Sequence, residues 1–333
     1  MSNTFDERKY EYWWASIQSE YNIQLKKIAD KAGGAYALYK MGPDELINIE
    51  GISKKLSGLI VKSREVWDVD REYERLLESD VRFIPWYSEE YPAKLSQIAG
   101  RPYAIFVRGK LPDEDRPSVA IIGARDCSAY GRMIAERFSH DLAEYGVQII
   151  SGMAYGIDGI SQKAALDAGG HSYGVLGSGV NVCYPASNRE LYRRLIGMGG
   201  VISEYGIDSK AWAGHFPPRN RIISALSDVV LVIEAREKSG TMITVDMALE
   251  QGKDVAIIPG RVTDPLSTGC IRLWKQGAIP VTSAEDVMYL LDDSYQVGCK
   301  KHELPKIKMN ELEKRVYDSL ELYATSIGGT LHV

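Results

Sequence analysis

The sequence predicts a doubly wound α/β domain with a mostly parallel sheet, preceded by a small all-helical segment. Three observations predict it. From Ser118 onward, short apolar and β-branched runs recur at 119–122, 147–150, 172–176, 201–202, 229–233, 255–258 and 279–281. Most are separated by helical stretches of about ten to twenty residues, the spacing of strand-helix-strand crossovers. The runs are apolar throughout rather than alternating, as in strands covered on both faces. Six or seven strands are expected.

Before this domain, residues 1–66 read as short helices. Trp13, Trp14, Ile17, Tyr21, Leu25 and Ile28 recur at helical spacing, and Gly33-Gly34 and Gly42-Pro43 break the pattern. A stretch from Leu46 through Gly51 to Ser53, followed by a helix carrying Leu56, Leu59 and Ile60, resembles a helix-hairpin-helix unit. Such a hairpin either presents backbone N–H groups to a phosphate or simply packs. Ser53 stands where the usual hairpin carries a second glycine. Residues 67–292 form the second domain. It opens with a helix over 71–78, short strands over 81–84 and 103–107, and a charged, proline-bounded linker over 112–117. Residues 293–309 are polar and lysine-bearing, a linker, and 310–333 hold one amphipathic helix with Leu312, Val316 and Leu320.

Composition narrows the function. Of 333 residues 45% are hydrophobic and 26% charged, which excludes wholesale disorder, collagen-like structure and coiled coil. The net charge of −5 excludes a uniformly basic protein but not a local basic groove. No apolar run reaches the ~18 residues that span a bilayer, so no membrane partner is expected. The polar start MSNTFDERKYEYWW is no signal peptide, and a cytoplasmic protein is expected. Cys127, Cys183, Cys270 and Cys299 are far apart and form no paired-cysteine motif. Reduced thiols and no metal site are expected, and no cofactor.

In an open α/β sheet, ligands bind at the carboxyl ends of the strands. Those ends carry Gly123-Ala124-Arg125 with Ser128 and Tyr130-Gly131, then Ser151-Gly152-Met153-Ala154-Tyr155-Gly156-Ile157-Asp158, then Gly177-Ser178-Gly179 with Tyr184-Pro185. Glu234-Ala235 and Ser239-Gly240-Thr241 follow, and then Pro259-Gly260. Glycine lets backbone N–H groups approach an anion, and helix starts and hydroxyls complete a phosphate cradle. A nicotinamide cofactor is disfavoured, because Arg125 stands where the pyrophosphate needs glycine and no ribose-binding acid ends the second strand. No P-loop, H-E-x-x-H or G-x-S-x-G motif occurs. The remaining clue is His215-Phe216-Pro217-Pro218-Arg219-Asn220-Arg221-Ile222-Ile223. Arginine forks suit phosphate oxygens and an aromatic face suits an unstacked base. Alternatively, Arg219 and Arg221 pair with acids such as Glu204 or Glu234. Taken with Arg125 and the glycine turns, the segment points to a polyanion groove. Glu234 lacks a partner acid nearby for catalysis, Asp158 reads as a first-turn helix acid, and Cys183 lacks an activating neighbour.

These pieces, in this order, resemble the DNA-processing protein A (DprA/Smf) family, closely over residues 80–292 and loosely over the N-terminal helices. The Thr241-Met242-Ile243-Thr244 continuation and Pro259-Gly260 belong to the same pattern. The resemblance implies an extended Rossmann-like domain that dimerises, a SAM-like N-terminal domain and a C-terminal winged helix. It implies a non-enzymatic protein that binds single-stranded DNA, loads the RecA recombinase onto it and works beside the single-strand-binding protein, natural transformation being the best-known setting. The candidate DNA-binding residues are Gly123, Arg125, Ser151, Gly152, Gly177, Gly179, Phe216, Arg219, Asn220, Arg221, Ser239, Gly240 and Thr241. Two departures stand out. Ile271 replaces the asparagine usual in Gly269-Cys270-Ile271-Arg272-Leu273, and the tail from Asn310 matches only the first helix of a winged helix, a truncated remnant. A different class, a nucleotide-binding enzyme of the lysine-decarboxylase-like phosphoribohydrolase type, is suggested by Glu234 and Ser239-Gly240-Thr241. It lacks that family's Pro-Gly-Gly-x-Gly-Thr loop.

Overall fold

The computed structural model describes residues 7–17 and 24–291. Tyr21, the linker expected over 293–309 and the winged-helix remnant expected over 310–333 lie outside the described residues. Among the described residues, nine strands form one sheet: β1 (Val81–Pro85), β2 (Ala104–Gly109), β3 (Ser118–Ile122), β4 (Gln148–Ser151), β5 (Ser172–Val175), β6 (Gly200–Ser203), β7 (Val229–Val232), β8 (Asp254–Ile257) and β9 (Ile279–Pro280). Their order is β1-β2-β6-β5-β4-β3-β7-β8-β9. The seven strands from β3 to β9 are parallel to their neighbours in that set, as the apolar runs predict. The two earlier strands join the same sheet as an antiparallel extension, β1 on β2 (Val81 opposite Arg108) and β2 on β6 (Phe106 opposite Ser203).

Both faces are apolar, and successive residues serve opposite faces. Val119 and Ile121 of β3 pack with Phe138 and Leu142 of the helix Ala129–Glu144 and with Ile157 of the helix Ile157–Asp167. Ala120 and Ile122 pack on the other face with Ile222 and Ile223 of the helix Phe216–Leu226 and Val245 of the helix Gly240–Glu250. Strand order reverses at β3: β4 to β6 extend to one side and β7 to β9 to the other. The chain therefore leaves β3 and β7 toward opposite faces, which opens a crevice at their carboxyl ends.

The N-terminal segment folds as the helices Arg8–Ser16, Leu25–Ala32, Ala35–Lys40, Pro43–Leu46 and Lys54–Val66, followed by Val69–Leu77. The Leu25–Ala32 helix ends at Gly33, whose φ of +85° supplies the left-handed cap. Ser53 caps the Lys54–Val66 helix, its hydroxyl accepting from the Leu56 N–H at 3.1 Å. Trp13, Trp14, Leu38, Leu56 and Ile60 are fully buried. Tyr12 meets Phe83 of β1 and Phe106 of β2 edge-on, at centroid distances of 5.7 and 6.0 Å. The helices thus share a core with the edge of the sheet, beneath β1, β2 and β6. Among the described residues, no helix is long and apolar enough to cross a membrane.

Trp14 fills that shared core and donates its indole N–H to the Leu25 carbonyl at 3.0 Å. Trp14→Ala is expected to cost about 3–5 kcal/mol, the range for deleting a buried aromatic. Urea unfolding checks it: an unchanged midpoint would show that the helices and sheet do not unfold together.

Candidate nucleic-acid interface

The crevice at the carboxyl ends of β3 and β7 is a cleft of about 550 Å³, lined among others by Gly123, Arg125, Phe216, Arg219, Asn220, Arg236, Ser239, Gly240 and Thr241. A smaller pocket opens beside it, sharing Arg125, Phe216 and Arg219 and adding Gly152, Tyr155, Gly177, Ser178, Tyr184 and Pro185. The ends of β3, β4, β5 and β7 therefore contribute to one continuous surface, together with the start of the Phe216–Leu226 helix.

Glycine at two turns makes this convergence possible. Gly156 has a φ of +71°, and a Cβ there would run into the carbonyls of Ala124 and Arg125. Gly152 lies against Arg219, where a Cβ would sit 2.9 Å from a guanidinium nitrogen and 2.7 Å from the Asp158 carboxylate. The Met153 that follows has a φ of +53°, a conformation disfavoured for a side-chain-bearing residue. The turn is held from outside. Gln162 accepts from the Met153 N–H at 3.1 Å, and the Asn188 amide donates to the Met153 carbonyl at 3.0 Å.

Arg219 is the buried cation of the site, 4% exposed. Its guanidinium donates to the carbonyls of Gly152, at 3.0 Å, and Val175. Burial pulls its pKa down to about 10, opposed by the Asp158 carboxylate, so it stays charged at neutral pH. Burial pushes the Asp158 carboxyl upward, against Arg219 and the Gly152 N–H that it accepts at 3.1 Å. Arg125 differs: it is exposed, and among the described residues its guanidinium has no hydrogen bond or ion pair. Arg125 and Arg219 lie 5.7 and 5.8 Å from the centroid of the Phe216 ring. Phe216 also stacks with Tyr184 at 5.5 Å and 26° between planes. The result is an aromatic pair flanked by one exposed cation and one buried, hydrogen-bonded cation.

The remaining candidates divide. Gly177 lines the smaller pocket, whereas Gly179 lines neither. Ser151 is buried and donates to the Ile121 carbonyl at 2.7 Å. Arg221 turns away from the cleft. Two residues along a helix is a rotation of about 200°, so Arg219 and Arg221 cannot share a face. Arg221 forms a bidentate pair with Glu204 at 2.8 and 2.6 Å, the side chains 5% and 2% exposed. Although burial opposes its charge, Glu204 holds the guanidinium above the ordinary arginine value. Glu234 is buried and accepts from the backbone N–H and hydroxyl of Ser128, anchoring the start of the Ala129–Glu144 helix. Ile271 is half-buried on the helix Thr268–Lys275 and lines neither pocket. Burial raises the thiol pKa of both Cys127 and Cys183, so neither is activated.

Arg236, Tyr155 and Tyr184 line the site and were not among the candidates read from sequence. Arg236 sits between two quoted motifs, Glu234-Ala235 and Ser239-Gly240-Thr241, and a cation at a strand end was the available signal.

Fold and cleft define an open α/β protein with an arginine- and glycine-lined site at its topological switch point. The family model for DNA recombination-mediator protein A matches residues 82–292, and the chain belongs to that family. It is 44% identical to the Smf protein of Escherichia coli over 206 residues, 62% of this chain and 55% of that protein. It is 42% identical over 198 residues to the DNA processing protein DprA of Streptococcus pneumoniae, 60% of this chain and 70% of that one. The chain thus spans about half the length of the Escherichia coli relative. Among solved structures, DprA from Streptococcus pneumoniae superposes with a TM-score of 0.74 at 32% identity, covering 88% of this chain and 99% of that one. The Helicobacter pylori DprA, whose structure is described as showing a single-stranded DNA binding mode, matches at TM-score 0.57 and 26% identity, covering 64% and 95%.

Two predictions follow from the buried groups. Arg221→Ala leaves Glu204 buried and unpaired, and is expected to cost about 3–5 kcal/mol in chemical denaturation, whereas replacing both partners with apolar residues costs less. His215 is buried, stacked on Tyr205 at 3.9 Å, with Nδ1 3.2 Å from the Gly177 carbonyl. Burial lowers its pKa below 6.5, opposed by Gly177 and Glu204. The unfolded chain therefore binds the proton first, and the stability contributed by neutral His215 is lost as pH falls through 6.5 toward the folded value. The Tm advantage of the wild type over His215→Gln should shrink from about pH 8 to about pH 5.5; an advantage independent of pH would contradict it.

Proposed function

We propose that this cleft holds single-stranded DNA and that the protein acts as a recombination mediator. The observation that carries the reading is the stacked Tyr184–Phe216 pair beside Arg125 and Arg219 at the glycine-lined strand ends. Arginine charge neutralises backbone phosphates irrespective of sequence, and an aromatic face takes any unstacked base. A duplex keeps its bases stacked and paired, so the combination favours the single strand. The family membership and the single-stranded DNA named for the Helicobacter pylori relative support the same conclusion.

The finer reading is that the protein is not an enzyme, loads RecA onto the bound strand, works beside the single-strand-binding protein and dimerises through its α/β domain. Its support is the family resemblance of the motifs. The phosphoribohydrolase reading is less favoured, since Glu234, the carboxylate that suggests it, is occupied with Ser128 and does not line the cleft.

Fluorescence anisotropy of a labelled oligo-dT across a salt series tests the proposal. Wild type is expected to prefer the single strand over matched duplex. Arg125→Ala should weaken binding and reduce the salt slope by about 1, the loss of one phosphate contact. Phe216→Ala should cost about 1–3 kcal/mol of binding, the worth of one stacked base. Unchanged affinity in both variants would place the strand elsewhere.

A further inference from the structure

The switch-point end of the cleft carries a second kind of group. The helix Gly240–Glu250 begins there, and its start is uncapped. The Ser239 hydroxyl donates instead to the Arg236 carbonyl at 3.0 Å. Among the described residues, the Gly240 and Thr241 N–H groups have no hydrogen-bond partner. Independently, Thr241 and Thr244 line the cleft while being only 8% and 3% exposed. Neither hydroxyl has a hydrogen-bond partner among the described residues. They are not sealed in the interior either: the sealed, unpartnered side-chain oxygens belong to Ser16, Ser139, Ser209 and Gln251. The two hydroxyls therefore open onto the cleft.

A threonine inside a helix usually recovers its hydrogen bond from a carbonyl one turn back. Here Thr244 has the Gly240 carbonyl one turn back and forgoes it, and Thr241, three residues earlier on the same face, sits in the first turn, where no helical carbonyl precedes it. A buried hydroxyl without a partner destabilises the free protein, and such groups persist where a ligand completes them. We propose that Thr241 and Thr244, with the Gly240 and Thr241 N–H groups, form a seat for a nucleotide phosphate. All four are donors, and the helix dipole adds partial positive charge. Arg125 and Arg236 line the same cleft and supply full charge, opposed by the carboxylates of Asp126, which is exposed, and Asp158, which faces Arg219. This rests on the reading of the cleft as a nucleotide site and orients it: phosphate at the switch point, base at the Tyr184–Phe216 pair. The phosphate belongs either to a DNA strand or to a free nucleoside monophosphate.

The Thr241→Val/Thr244→Val double variant of the full chain removes the hydroxyls and keeps the shape. Without ligand, its Tm should equal or exceed that of the wild type, because two unpaired hydroxyls are gone. If the strand supplies the phosphate, oligo-dT affinity falls about tenfold. If a free nucleotide does, calorimetric affinity for thymidine 5′-monophosphate falls about tenfold while oligo-dT binding holds. The corresponding double serine variant keeps the hydroxyls and should bind as the wild type does. Valine variants that bind both probes normally, or serine variants that fail like the valine ones, overturn the seat. Loss of oligo-dT binding in Arg125→Ala, with oligo-dT and thymidine 5′-monophosphate both bound normally by the valine variant, would overturn the seat and leave the DNA reading standing. A wild type that ignores oligo-dT but binds thymidine 5′-monophosphate in a valine-sensitive way would do the reverse.

Discussion

The site depends on one buried cation. Arg219 leaves the first turns of the Phe216–Leu226 helix and reaches under the ends of β4 and β5, donating to carbonyls of Gly152 and Val175 and facing Asp158. A guanidinium is tolerated there because its donors meet carbonyls and its charge meets a carboxylate. The arrangement fixes the helix relative to the strand ends, and with it the Phe216 ring. It also requires the residue above the guanidinium to be glycine, which is why Gly152 has no alternative. A neutral side chain at 219 would remove both the positive potential and the tie between helix and sheet.

Around that tie, other groups serve geometry. Arg221 and Glu204 join the far side of the same helix to the end of β6, with no opening to the cleft. His215 braces the Gly177 turn, and Asn188 and Gln162 hold Met153 in its left-handed conformation. Most polar side chains near the cleft are thus committed to protein partners. Among those left over are the exposed guanidinium of Arg125, the Arg236 side chain, the open helix start at Gly240, the hydroxyls of Thr241 and Thr244, and the Asp126 carboxylate at the rim. All but Asp126 are hydrogen-bond donors, as suits a surface for phosphate oxygens.

Much of this was legible in the sequence. Continuous apolar runs gave the seven parallel strands, because strands buried on both faces have no polar positions to disguise them. Glycines at their ends located the ligand edge. The antiparallel extension was not legible: the runs over 81–84 and 103–107 reveal strands, but not that β2 would cross over to pair with β6, about a hundred residues away in sequence. The arginine pair was half legible. Motif reading placed Arg219 and Arg221 together, while helical geometry separates them by more than half a turn and gives one to the cleft and one to Glu204. Thr244 and Tyr184 stood within motifs already noticed, but their relevance lies in what surrounds them, a missing partner in one case and a stacked ring in the other.

The proposed site lays nucleic acid along the carboxyl edge of the sheet across the β3–β7 switch point. Photo-crosslinking an oligonucleotide carrying 5-bromodeoxyuridine, followed by mass-spectrometric mapping of the adducts, tests it most directly. Adducts are expected at Phe216, Tyr184 and Tyr155, lost when unlabelled oligo-dT competes. Adducts confined to the helices between Arg8 and Leu77, with the cleft aromatics unlabelled, would contradict it.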